Sequence, residues 1–237
     1  MNDLNRRTLF GVTAGVAATA AIAPAIAPAA TAAPSAPPSG DRAEESWRKL
    51  AKGNRRFAEG RQQHPHESLR WRESLVNGQA PFAAVLGCGD SRVPPELVFD
   101  EGLGDLFTVR SAGEVLDTAI IGSIEYAVEH LNVPLVVILG HESCGAVKAT
   151  IDTVNGNAHL TGDISVLVRS IEPAVRATPV DPDPARHLAA CVAEQTRRSA
   201  AYLVERSSII REAVAHHGVK VVPATYELRT GKVTRLG

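Results

Sequence analysis

Two stretches decide the reading of this 237-residue chain: Phe82-Ala83-Ala84-Val85-Leu86-Gly87-Cys88-Gly89-Asp90-Ser91-Arg92 and Pro134-Leu135-Val136-Val137-Ile138-Leu139-Gly140-His141-Glu142-Ser143-Cys144-Gly145-Ala146. Each begins as a short apolar run rich in Val, Leu, Ile or Ala, with no polar residue alternating into it. Such a run reads as a strand buried on both faces, as in parallel sheets covered by helices. Each run then passes through glycine into a polar turn. Two thiols, Cys88 and Cys144, and one imidazole, His141, therefore fall at the ends of two strands. In open α/β sheets, ligands bind at that end. Cys, Cys and His are soft and borderline donors that suit zinc and leave one coordination position over.

The flanking sequence supplies the rest of an α/β pattern. Asp41 opens a helical stretch in which Trp47, Leu50, Ala51, Asn54 and Phe57 form one stripe, and Gly60 ends it. A second helical piece covers 69–75. After the strand at 82–87, the pattern gives a short helix at 94–99 and a strand at 105–110. A helix follows at 117–131, with Asp117 or Thr118 as N-cap and Ile120, Ile121, Ile124, Ala127, Val128 and Leu131 facing inward. Then come a strand at 134–140, a helix at 145–154, and helices at 160–177 and 185–217 parted by a proline-rich breaker. A strand at 219–228 turns at Thr230-Gly231 into a last strand at 232–236. The expected fold is α/β: a mainly parallel central sheet, four parallel strands plus an antiparallel edge strand, flanked by helices. No internal repeat occurs, and residues 43–237 read as a single domain.

The first residues have a different character. Asn5-Arg6-Arg7-Thr8-Leu9-Phe10 is a twin-arginine signature, and no charged residue occurs from Thr8 to Gly40. The apolar part is rich in Ala, Val, Gly and Thr and is interrupted by Pro24 and Pro28, too short and too weakly hydrophobic for a membrane span. Residues 1–33 are thus expected to be a signal peptide for twin-arginine export, to the periplasm or outside the cell, with 34–42 a flexible leader. Loss of Asp3, Arg6 and Arg7 takes the formal charge from -1 to -2. A balance so near neutrality gives no support for nucleic-acid binding. Three cysteines make no disulfide framework.

A lone cysteine after a strand is usually a small buried hydrophobe, and Cys191, beside Ala189, Ala190 and Val192, is read that way. Cys88 departs from that reading because His141 and Cys144 stand three apart at a strand-to-helix turn, where both face one point and the helix N-terminus favours the thiolate. Spacing alone also fits chance. Asp90 and Arg92 add to it: an aspartate two residues past a ligand cysteine reaches the fourth metal position, and an arginine clamps its carboxylate bidentately.

Cys-x-Asp-Ser-Arg at 88–92, followed by His-x-x-Cys-Gly at 141–145, resembles the beta-class carbonic anhydrases. The similarity extends over Gly53-Asn54-Arg55-Arg56-Phe57, Gly122-Ser123-Ile124-Glu125-Tyr126-Ala127 and Tyr226-Glu227-Leu228-Arg229-Thr230-Gly231. The resemblance implies Zn2+ on Cys88, His141 and Cys144, with Asp90 and Arg92 as the catalytic dyad in reversible hydration of CO2 to bicarbonate. It also implies a substrate pocket with Gln79, Phe107, Ala112, Tyr126 and Gly145. It implies a homodimer or higher homo-oligomer, with the Trp47–Phe57 helix lying on the neighbouring subunit and part of each pocket supplied across the interface. Gly89 departs from the more usual Ser or Ala, and Ala112 stands where some members carry a larger aliphatic residue. Two other readings stay open: a hydrolase of carbonyl sulfide or carbon disulfide, and a non-catalytic zinc protein with Asp90 as permanent fourth ligand. Proton-shuttle candidates are His64, His66, His130, His159, His187, His216 and His217, by residue type alone.

Overall fold

The structure, a computed structural model, describes residues 39–158 and 160–237. The expected signal peptide, residues 34–38 of the leader and His159 lie outside the described residues. Helix α1 (Ser39–Ala58) begins two residues before Asp41, where the sequence pattern opens it, and so takes in the end of the segment expected as leader. Asp41 in the first turn complements the helix dipole, and Ala43 is fully buried, which gives the early turn something to pack on.

Five strands form one sheet: β1 (Ala83–Gly87), β2 (Leu106–Arg110), β3 (Leu135–His141), β4 (Lys220–Tyr226) and β5 (Val233–Arg235). Their order is β2-β1-β3-β4-β5. The first four pair in parallel and β5 joins β4 antiparallel, as the apolar runs and the Thr230-Gly231 turn led us to expect. Every residue of β1 and β3 is buried. Because side chains alternate across a strand, each strand feeds two cores. Ala84, Leu86, Val136 and Ile138 pack on one face with α4 (Thr118–Glu129), α7 (Pro184–Arg206) and α8 (Ser208–His216). Ala83, Val85, Leu135, Val137 and Leu139 pack on the other with Leu50 of α1 and Val98 of α3 (Pro95–Val98). Each fully buried Leu or Ile contributes about 1.5–3 kcal/mol. Helices α2 (Leu69–Ser74), α5 (Gly145–Val154) and α6 (Ile164–Ala177) complete the layers.

The Leu50–Asn54 part of the α1 stripe packs on its own chain, and two helix boundaries differ from expectation. Leu50 is fully buried among its own strands, and Asn54 Nδ2 donates to the carbonyls of Val98 and Gly231 while its Oδ1 accepts from the N–H of Val233. The helix expected over 185–217 is two helices, because Ser207 takes an extended φ/ψ and caps α8 through its Oγ, which accepts from the Ile210 N–H. The helix expected from residue 160 begins at Ile164. A 3-10 turn at Ala112–Glu114, after β2, had no counterpart in the sequence pattern. Among the described residues no helix is long and apolar enough to cross a membrane.

Candidate metal centre

Parallel pairing brings the ligands together. Gly87 lies opposite Leu139 in the β1–β3 register, so Cys88 and His141 emerge side by side at the carboxyl edge of adjacent strands. Gly140 is required there: a Cβ would lie 2.1 Å from Thr196 Oγ1 of α7. Ser143, at φ 56°, turns the chain sharply so that Cys144 becomes the N-cap residue of α5. The end of β4 steadies this turn, the Glu142 N–H donating to the Tyr226 carbonyl over 2.8 Å.

The three expected donors converge in the interior. Cys88 Sγ and Cys144 Sγ are 4.0 Å apart, and His141 and Cys144 are fully buried. His141 Nδ1 bonds the Glu142 carbonyl at 2.9 Å, which fixes the tautomer with Nδ1 protonated and leaves a lone pair on Nε2. That Nε2 is buried and has no hydrogen-bond partner. An orphaned acceptor within 4.8 Å of two thiol sulfurs fits a thiophilic cation, and the donor set fits zinc. The two sulfurs share a hydrogen bond, which pulls the Cys88 thiol below its ordinary value and pushes Cys144 above its own. Zinc would take both as thiolates and release protons.

Asp90 stands at the rim. Arg92 holds it bidentately, Nε to Oδ1 at 2.9 Å and Nη2 to Oδ2 at 2.7 Å, and the Arg92 N–H adds a third bond to Oδ1. The guanidinium hydrogen bonds keep the Asp90 carboxyl far below the usual carboxylate range. Asp90 Oδ2 is 3.9 Å from His141 Nε2.

Two residues here were missed from the sequence. Arg110, at the end of β2, donates from Nε to the Cys88 carbonyl (2.8 Å) and from Nη2 to the Asp90 carbonyl (2.5 Å), clamping the ligand turn. Its position opposite Gly87 follows from the β1–β2 register, which the sequence does not display. Glu114 is 1 % exposed, and its carboxylate lies within 4.8 Å of the donor atoms of Cys88, His141 and Cys144. Burial, then the nearby Cys88 sulfur, push its carboxyl well above the ordinary value.

The expected pocket residues gather less completely. Phe107 and Tyr126 are neighbours, ring centroids 6.2 Å apart, and Tyr126 is half-exposed. Ala112 backs the ligand turn, its N 3.8 Å from where a Cβ on Gly89 would sit. Gly145 is exposed at the first turn of α5. Gln79 is exposed in the loop before β1 and makes no hydrogen bond to the cluster among the described residues. Cys191 is fully buried, 3.7 Å from His187 Nε2 and outside the metal cluster, as its apolar surroundings suggested. His66 stacks on Trp71 and bonds Asp105, a structural placement.

Two thiols and an imidazole at the carboxyl edge of a parallel sheet make an α/β protein with a cluster that could hold a metal ion, and known proteins narrow that class. The family model for carbonic anhydrase matches residues 83–233. The chain is 43 % identical over 193 residues to "Carbonic anhydrase 2" of Mycobacterium tuberculosis, covering 79 % of this chain and 89 % of that protein. Among solved structures, one of two tetrameric beta-carbonic anhydrases from Sordaria macrospora superposes with a TM-score of 0.65 at 22 % identity, covering 81 % of this chain and 98 % of the other. The beta-carbonic anhydrase CafA of Aspergillus fumigatus gives a TM-score of 0.63 at 26 % identity, covering 81 % and 90 %. The chain belongs to the carbonic anhydrase family, with the fold of its beta class.

Proposed function

We propose that the protein catalyses the reversible hydration of CO2 to bicarbonate and a proton, at a zinc ion held by Cys88, His141 and Cys144. The observation that carries this reading is the orphaned Nε2 of buried His141, within 4.8 Å of a sulfur donor from each of two cysteines and 3.9 Å from a carboxylate already clamped by arginine. Zinc held there would supply Lewis acidity, lowering the pKa of a water molecule towards neutrality so that a nucleophile is available at neutral pH.

The chain's own groups supply the rest. Asp90 Oδ2, held ionised by Arg92, accepts a hydrogen bond from the attacking water and orients its lone pair at carbon. Arg92 has a second task. With both Asp90 oxygens bonded to it, the carboxylate is kept for the water and withheld from the metal. This supports catalysis over a closed site in which Asp90 is a permanent ligand. Phe107, Ala112, Tyr126 and Gly145 form the apolar side that holds an uncharged substrate, and Gln79 donates to an oxygen of the forming bicarbonate. Tyr126 stands half-exposed beside Phe107, which supports a homodimer or higher assembly in which a second copy covers this side. Residues 1–33 direct export through the twin-arginine route, to the periplasm or beyond.

Stopped-flow CO2 hydration by the zinc-loaded protein beside Asp90→Ala tests the reading. Loss of Asp90 is expected to lower kcat/KM by about 10²–10⁴. A zinc-loaded wild type without activity, or an undiminished variant, contradicts it. Turnover of carbonyl sulfide and carbon disulfide measured side by side would reveal a hydrolase of the sulfur analogues instead.

A further inference from the structure

Glu114 has no role in the mechanism above, and its placement is costly. It is a carboxylate, 1 % exposed, whose Oε1 is buried with no hydrogen-bond partner. A buried carboxylate without partners costs several kcal/mol unless a cation or a proton compensates it. Its backbone is also strained: Glu114 has φ 52°, where a side chain larger than Asn or Asp is uncommon. Glycine is not the residue here, although Gly113 just before it also has a positive φ.

The strain is held in place by α7. Gln195 Nε2 donates to the Gly113 carbonyl (3.1 Å) and Ser199 Oγ to the Glu114 carbonyl (3.1 Å), while the Glu114 N–H donates to Ser111. All of these bonds fix the backbone, and none reaches Oε1. The Gly113 N–H in turn donates to Cys88 Sγ over 3.3 Å, tying the turn to a ligand sulfur. These contacts hold an unsatisfied carboxylate within 4.8 Å of donor atoms of the two thiols and the imidazole.

Donor atoms of Cys88, Glu114, His141 and Cys144 all lie within 4.8 Å of one another. Around zinc, with metal–sulfur distances near 2.3 Å and metal–nitrogen or –oxygen distances of about 2.0–2.2 Å, tetrahedral ligand atoms lie roughly 3.3–3.8 Å apart. A modest contraction of the cluster would complete the shell. Two acceptors in it, Glu114 Oε1 and His141 Nε2, are both buried and both without partners. One cation satisfies both.

We propose that Glu114 is a protein ligand of the zinc ion, occupying the fourth coordination position in the resting protein and yielding it to water when the site turns over. The proposal rests on the zinc centre argued above and deepens it. Glu114 is buried beside the donors while Asp90 stands at the rim, so the two carboxylates divide the work. Glu114 holds the metal when no water is bound, and Asp90 orients the water that replaces it. No covalent bond of the protein changes in the exchange; one oxygen donor leaves the metal as another arrives.

The test compares zinc-loaded wild type, Glu114→Gln and Glu114→Ala. Glu114→Gln keeps the shape and the backbone demand, so the test survives if the alanine variant folds poorly. Chelator competition is expected to show zinc affinity reduced about tenfold to a hundredfold or more in both variants. The cobalt-substituted variants are expected to shift their visible absorption and to gain an exchangeable water, read by solvent-proton relaxation. Unchanged affinity together with an unchanged cobalt spectrum in a folded variant overturns the proposal and leaves the zinc centre standing. A folded wild type that takes up no stoichiometric zinc overturns both.

Discussion

Asp100 and Glu114 are two acids in the same situation with opposite outcomes. Both are almost fully buried, at 3 % and 1 % exposure, and both have a left-handed backbone, φ 47° and 52°. Asp100 is saturated: Arg56 Nε donates to it, as do the backbone N–H groups of Gln63 and His64. Burial alone would raise its carboxyl, yet these donors hold it below the ordinary value. Glu114 has an oxygen with no donor at all, and its carboxyl is pushed the other way. Burial and strain by themselves therefore do not separate a structural acid from a functional one. The unfilled hydrogen-bond capacity does, because only the second acid needs something the chain does not provide.

Removing the metal should affect one side of this comparison and spare the other. Stripping zinc with a chelator is expected to abolish CO2 hydration and lower the thermal midpoint, with both restored on adding zinc back. A midpoint that does not move on stripping would mean the cluster is satisfied without a cation. Arg56→Ala attacks the saturated acid, leaving Asp100 buried and uncompensated. It should cost about 3–5 kcal/mol in urea unfolding while folded protein keeps its full zinc content. Asp100→Asn keeps the shape but gives up charge-assisted bonds, and about 1–3 kcal/mol is expected by the same measurement.

Acid should show the sign of the Asp100 shift. Its folded pKa lies below the unfolded value of about 3.9, so its stabilisation is fully present above roughly pH 4 and is lost as pH falls through the folded pKa. In Asp100→Asn this share of the acid sensitivity should vanish, visible as a smaller difference from wild type below pH 4 than at pH 6. The smallest effect belongs to Cys191→Ala. It should cost roughly 0.5–3 kcal/mol and leave zinc content unchanged, since that sulfur sits with His187 and not with the cluster.

What could be read in advance follows the range of the interaction concerned. Strands β1 and β3 announce themselves because parallel strands buried on both faces need unbroken apolar runs, and their ends carry Cys88 and His141 directly. The Asp90–Arg92 clamp is local, two residues apart, and was legible for that reason. The break between α7 and α8 was not, because Ser207 lies in helix-compatible sequence with no glycine or proline. Its extended backbone is accompanied by a tertiary bond from its Oγ to Glu125. Glu114 was hidden for a similar reason. A glutamate after glycine in a loop reads as solvated, and only the packing of α6 and α7 over the turn buries it, with Ile171 against Gly113 and Gln195 on its carbonyl.

Whether Cys88, His141 and Cys144 share one zinc ion is tested directly by a crystal of the zinc-loaded protein measured with X-rays at the zinc absorption edge. The expected result is a single strong anomalous peak about 2.3 Å from each of the Cys88 and Cys144 sulfurs and about 2.0–2.1 Å from His141 Nε2. A peak elsewhere, or none at this position in zinc-saturated crystals, would contradict it.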